Sequence, residues 1–460
     1  MSPITCLLLF STLIHYTTRV TSYPETELIK NLPGQPTVNF KQFAGYVTVD
    51  EAQQRHLFYY FVEAETNPDS KPLVLWLNGG FLLHKPGPVV HLVGYGAFLE
   101  HGPFRPSENG LVTNEYSWNK EANMLYLETP AGVGFSYSSN KSFYNSVNDE
   151  ITAKDNLEFL QKWLTKFPEY KKSDLFITGE SYAGHYVPQL ADLILKTNLG
   201  SNLKGIALGN PLLEFNTDFN SRGEYLWSHG IISDATYGLL QNVCNYSQIR
   251  RQYYKQAFTP ECGMVLNKMN SEMSVYLNPY DIIVDVCLYK QKRFLAHYLK
   301  DEKLDACQED KTTNYLKKQE VQKALHAQLV GVTEWTICSS VVNYHVDDTE
   351  VSTLPLLATL MRLGVRVLLY SGDQDTVIPL TGTRTLANRL AVEMGLNETV
   401  PYNIWLQDNQ IGGWTQAFGD NILTFATVRG AAHEVPFSQP ARSMLLFSSF
   451  LQGKPLPKAP

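Results

Sequence analysis

The stretch FITGESYAGHYVPQL, residues 176–190, decides the fold. An apolar run closes on Thr178, Gly179 and Glu180, Ser181 sits among small residues, and a helical pattern leaves through Tyr186 to Leu190. A strand ending in such a tight turn lifts the serine oxygen clear of a sheet, and small neighbours permit the strained backbone this requires. The literal Gly-x-Ser-x-Gly spacing is not met, because Ala183 holds the last position and Gly184 follows. A turn of this composition often arises by chance, so the rest of the chain has to support it.

Outward from this turn, short apolar runs bounded by turn residues recur at 73–77, 124–127, 175–178, 365–370 and 423–428. That is the pattern of parallel strands buried on both faces. Helical patterns lie between some of them, at 152–167 and 187–195. The alternation predicts an α/β fold, a mostly parallel central sheet with helices on both faces. Ahead of these, residues 46–49 and 56–61 predict an antiparallel start.

Residues 221–313 differ, being Tyr-rich and partly helical. They read as a cap inserted between two parts of one core, 23–220 and 314–460. Of the six cysteines in the 460-residue chain, Cys244, Cys262, Cys287 and Cys307 fall in this cap. None is arranged as Cys-x-x-Cys, so disulfide staples are expected and a metal site is not. No cofactor is implied.

Residues 1–22 read as a secretory signal, with a short apolar core at 4–10 and small residues at 20–22. If Cys6 leaves with that segment an odd number of cysteines remains, which in an oxidising compartment leaves one over. Sequons at Asn140, Asn245 and Asn397 fit glycosylation on that route. The formal charge of −7 argues against nucleic acid or an anionic membrane as partner.

A serine hydroxyl needs a base, and the base needs a group that fixes its tautomer. In a sheet of this kind they follow in the order acid, then histidine, each after a strand. The chain supplies Asp373 and Asp375 after the run at 365–370, and His433 after the run at 423–428. Singly, an Asp-rich turn or a loop histidine is more often structural. Three such turns in this order make coincidence a poor account.

With these motifs the sequence resembles the serine carboxypeptidase family, in particular its plant members, over nearly all of the expected mature chain. The resemblance is carried by Asn78-Gly79-Gly80, the stretches 96–104 and 130–137, the Ser181 turn, and the Asp and His turns. It implies an α/β-hydrolase fold, with Ser181 as nucleophile, His433 as base and Asp375 as its orienter; Asp373 is then structural. It implies Gly80 and Tyr182 as oxyanion-hole amides. It also implies disulfides Cys244–Cys262 and Cys287–Cys307, with Cys338 left over.

Peptide or protein C-termini are the implied substrate, and a homodimer is left open. An exopeptidase of this kind must recognise a free carboxylate, which a carboxylic acid can do only while protonated, when it donates a hydrogen bond. By resemblance Glu100 and Glu180 are that pair, completed by Asn78 and the Gly79 amide. Paired, partly buried carboxyls hold a proton to higher pH, so an acidic working range is expected. Plant acyltransferases of the family usually carry Asp before the serine. Glu180 therefore favours the peptidase, with acyltransferase and catalytically dead secreted homologue as alternatives. Location in the secretory pathway, outside the cell or in the vacuole, follows from the same resemblance.

One segment departs. Family members follow Asn-Gly-Gly with Pro-Gly-Cys-Ser-Ser, whereas residues 81–93 here read FLLHKPGPVVHLV, about twice as long and without the cysteine. The absent cysteine, which in the family bonds near Cys338, also accounts for the odd count. Both signs point to one altered event at the oxyanion loop, a substituted coding segment or a divergent loop. An impaired enzyme is the expected consequence.

Overall fold

The structure is a computed structural model that describes residues 23–80, 93–197, 199, 202–287 and 304–458. The expected signal at 1–22 and nearly all of the departing segment, 81–92, lie outside the described residues. Two antiparallel strands, β1 (Gln42–Asp50) and β2 (Arg55–Val62), open the sheet as expected. It continues with β3 (Leu73–Asn78), β4 (Asn123–Leu127), β5 (Asp174–Glu180), β6 (Asn202–Gly209) and β7 (Arg366–Gly372). A hairpin of β8 (Glu398–Gln407) and β9 (Gln410–Phe418) precedes β10 (Leu423–Val428).

The spatial order is β1-β2-β4-β3-β5-β6-β7-β10-β9-β8, and the six strands from β4 to β10 in that order run parallel. Parallel strands lie in the middle of a sheet covered on both faces, which is why β3 and β4 are buried at every residue. The five runs read from the sequence are β3, β4, β5, β7 and β10.

Helices α1 (Asp149–Lys166) and α2 (Ala183–Lys196) pack against each other and cover part of the sheet. The side chain of Asn148 accepts the Ile151 N–H to cap α1. Asp149 and Glu150 in its first turn and Lys166 in its last oppose the helix dipole.

Between β6 and β7 stand α3 (Phe215–Ser228), α4 (Asp234–Asn242), α5 (Tyr246–Tyr254) and α6 (Pro260–Met273), with further helices after them. The boundary expected at 221 falls inside α3. That helix starts earlier because Glu214 accepts the N–H groups of Asn216 and Thr217, while Asp218 accepts those of Leu213 and Glu214. Disulfides join Cys244 to Cys262 and Cys287 to Cys307, and Cys338 stands outside both bridges. Among the described residues no helix is long and apolar enough to cross a membrane.

Candidate active site

Ser181 follows β5 directly, with φ +61°, in the left-handed region that non-glycine residues rarely occupy. Its N–H donates to the Gly209 carbonyl at the end of β6 (2.9 Å), and its carbonyl accepts from Gly184 and Leu212 (3.0 Å each). A Cβ on Gly179 would lie 2.3 Å from the Leu77 carbonyl oxygen and 2.6 Å from the Ala183 Cβ. The glycine before the serine thus makes room for the alanine after it, which explains how the turn tolerates Ala183.

From this turn a chain of hydrogen bonds leads to Asp375 and His433. Asn210 follows Gly209, and its Nδ2 donates to Asp375 Oδ2 (2.9 Å) while its Oδ1 accepts the Gly372 N–H (3.0 Å). Asp375, fully buried, also accepts the N–H groups of Val377 (2.7 Å) and Ile378 (3.2 Å). His433 Nδ1 lies 2.7 Å from Asp375 Oδ2. A carboxylate there fixes the proton on Nδ1 and leaves Nε2 to accept one, the tautomer a base requires.

Asp373 instead accepts the Gly430 N–H and ties the Asp turn to the His turn. Burial alone would lower the His433 pKa, but the charge and hydrogen bond of Asp375, helped by Glu434 and Glu100, raise it to about 9. The help from Glu434 and Glu100 exists only while they are ionised. Protonating them favours the neutral imidazole.

Next to the Ser181 turn sit the paired carboxyls. Asn78, at the end of β3, donates from Nδ2 to both Glu100 Oε1 and Glu180 Oε1 (3.0 Å each). Its own Oδ1 accepts the Trp76 Nε1–H (2.7 Å), which fixes the amide orientation. Both glutamates are buried and both have raised pKa values: Glu180 by burial and then by the charge of Glu100, Glu100 by burial against opposing hydrogen bonds. Glu100 Oε2 is buried with no hydrogen-bond partner. The pair can keep a proton where an ordinary glutamate cannot.

Gly79 is placed otherwise than expected. Its N–H donates to the Glu180 carbonyl (2.9 Å), continuing the β3–β5 pairing. A Cβ there would lie 2.2 Å from the Tyr182 nitrogen, so this glycine permits a close backbone approach and its amide is not available to a clamp. Gly80 is buried beside it, at the edge of the described residues.

Tyr182 is fully buried. Its ring stacks on His185 at 4.6 Å and 9° between planes, and its hydroxyl donates to Asp149 Oδ1 (3.1 Å). The sequence reading missed this support, together with Asn210, Arg105 and Glu434. Arg105 donates to the carbonyls of Glu100 and Pro436, fastening the paired carboxyls to the His433 turn. Glu434 adds a third, half-buried carboxyl, raised first by burial, opposed by the His433 charge and raised again by Glu100. Glu434 follows His433 in the chain and Asn210 closes an apolar run. Those positions were the available signals.

Residues 33–453 match the serine carboxypeptidase family. The chain is similar to serine carboxypeptidase-like 45 of Arabidopsis thaliana, at 54% identity over 100% of both chains. It is also similar to serine carboxypeptidase-like 46 of the same plant, at 57% identity over 94% of this chain and 92% of that one. Among solved structures, a prohormone-processing carboxypeptidase from Saccharomyces cerevisiae superposes with TM-score 0.72 at 23% identity, covering 94% of this chain and 96% of that one. That likeness is one of fold, and it is the fold of the α/β-hydrolase carboxypeptidases. With sequence, fold and turn geometry in agreement, the chain belongs to the serine carboxypeptidase family.

Proposed function

We propose that the chain releases C-terminal residues from peptides at acidic pH through an acyl-enzyme on Ser181. His433 Nε2 takes the Ser181 proton as the oxygen attacks the scissile carbonyl, forming a tetrahedral intermediate. It returns that proton to the leaving amine, and a water repeats the cycle on the ester. Asp375, supported by Asn210, holds the imidazole. The Tyr182 and Gly80 amides receive the oxyanion. The terminal carboxylate of the substrate rests on Asn78, Glu100 and Glu180 while the pair carries a proton.

The observation that carries this reading is the buried Glu100–Glu180 pair bridged by one amide beside the nucleophile turn. A carboxylate-binding site has use for such a pair, and an ordinary esterase has none. The sequon asparagines Asn140, Asn245 and Asn397 are exposed, as glycosylation requires. Residues 81–93 replace the family loop after Gly80, and lower turnover is the proposed consequence.

The test is release of free amino acid from blocked dipeptides by the parent chain, Ser181→Ala, His433→Ala and the double variant. Each single change should remove nearly all turnover and the double should add little, because the residues share one proton transfer. Hydrolysis retained by Ser181→Ala rejects the assignment. Acyl transfer from a sugar ester without peptide release would move the chain to the transferases.

A further inference from the structure

Arg222 of α3 is 2% exposed, and its Nε and Nη1 are buried with no hydrogen-bond partner. Among the described residues no carboxylate pairs with it. Asp218, one turn earlier, turns Oδ2 to the N–H groups of Leu213 and Glu214. The guanidinium carbon lies over the ring of Tyr246, 5.0 Å from its centroid. A cation over an aromatic face contributes about 0.5–2 kcal/mol, less than the several kcal/mol it costs to bury an ion without a counter-charge. The cation is built in, and no anion among the described residues completes it.

Arg222 lines a cleft of about 410 Å³ between α3, α5 and α6. Arg250, also 2% exposed, shares that lining. The other walls include Tyr253, Met269, Met273 and Leu277, so the cleft is cationic at one side and apolar or aromatic elsewhere. None of Ser181, His433, Asp375, Asn78, Glu100 and Glu180 lines it.

Its edge does reach the catalytic turns. Pro279 lines the cleft, and its carbonyl accepts both the N–H and the hydroxyl of Thr376. The next residue, Tyr280, accepts the His433 N–H at its carbonyl (2.9 Å) and holds its ring 5.3 Å from the imidazole.

We propose that this cleft is a second binding site, specific for a small organic carboxylate with an aromatic or branched apolar body. A guanidinium presents paired N–H donors that match a carboxylate, and the aromatic and methionine walls take the rest of such a ligand. The volume lies within the ~300–1,000 Å³ usual for small-ligand pockets. The bound anion would complete the charge of Arg222 and brace residues 277–280, the segment that holds the backbone of His433.

The experiment is calorimetry on the full chain carrying Ser181→Ala, with 3-phenylpropionate as probe and 3-phenylpropionamide as its uncharged counterpart. Arg222→Met and Leu277→Trp both leave Asn78, Glu100 and Glu180 intact, so a loss of binding in either separates this cleft from the site beside Ser181. The acid should bind at least about tenfold more tightly than the amide, and Arg222→Met should remove that difference. Arg222→Lys should retain part of it. Leu277→Trp, which fills the cleft and leaves Arg222 in place, should weaken both probes and serves if Arg222→Met does not fold. Equal affinity for acid and amide, no binding of the acid at millimolar concentration, or unchanged binding in the folded Arg222→Met or Leu277→Trp chain each overturns the site. None of these outcomes depends on whether the protein hydrolyses peptides.

Discussion

Asn78 Nδ2 and Glu180 Oε1 lie 3.0 Å apart, and the same nitrogen reaches Glu100 Oε1 at the same distance. One amide thus holds two buried acids together, and burial with mutual repulsion keeps a proton between them. The charge relation sets a pH dependence. In the proposed function the protonated pair donates to a substrate carboxylate, and the ionised pair repels it.

Glu100 is pushed up to about 7, and Glu180 is raised further by that neighbour. Affinity for peptides with a free C-terminus should therefore fall as pH rises through neutrality, whereas C-terminally amidated or ester substrates should show a flatter profile. Glu180→Gln, which always donates, should hold KM for free peptides nearly constant up to about pH 8. Parallel profiles for free and blocked substrates count against the carboxylate-binding role.

A stability prediction follows from the other buried acids. Glu128 and Asp218 are raised by burial to about 8 and about 7. A carboxyl whose folded pKa lies above its unfolded one binds more protons in the native state, so stability falls as pH rises from the unfolded value through the folded one. The protein should be most stable near pH 5, with Tm lower by several degrees at pH 8. Glu128→Gln should flatten that slope in calorimetry. A Tm that rises from pH 5 to pH 8 contradicts this account.

The central strands, and so the turns that follow β5, β7 and β10, were legible because burial on both faces writes a continuous apolar run. A tight turn likewise writes its small residues into the sequence. The hairpin β8–β9 was not legible, since β8 is largely exposed and packs only part of its length, which leaves neither a full apolar run nor a strict alternation. Asn210 was hidden for another reason. Its role comes from β6, β7 and the Asp turn meeting in space, and no local pattern records that meeting. The occupied amide of Gly79 was hidden likewise, because its partner is a carbonyl a hundred residues away in the pairing of β3 with β5.

Asn210 offers a separate test. Its amide joins β6 to β7 and touches Asp375 on the same oxygen that meets His433. Asn210→Ala should lower kcat by about tenfold or more through loss of one hydrogen bond to a charged group, with KM little changed. Asn210→Asp should be worse than Ala, since a second acid beside Asp375 repels it. A kcat at parent level in Asn210→Ala shows that the backbone amides of Val377 and Ile378 suffice to hold the acid.

The last prediction concerns the residue proposed to aim the oxyanion amide. His185 Nδ1 lies 2.9 Å from Asp149 Oδ2, its ring lies flat on Tyr182, and the Tyr182 hydroxyl reaches the other oxygen of the same carboxylate. Burial would raise Asp149, but hydrogen bonds from His185, Tyr344 and Gln189 hold it below the usual range. An aspartate with these partners fixes the first turn of α2, and with it the direction of the Tyr182 N–H. Tyr182→Phe removes the hydroxyl contact and keeps the stacked ring, so it should cost little. His185→Ala removes the stack and leaves Asp149 one donor short. It should lower kcat for esters and peptides alike by about tenfold, because an oxyanion donor acts in the transition state and not in substrate binding. His185→Gln, which can still donate to Asp149, should recover part of that loss. If His185→Ala raises KM and spares kcat, the dyad shapes the substrate site and does not aim the amide.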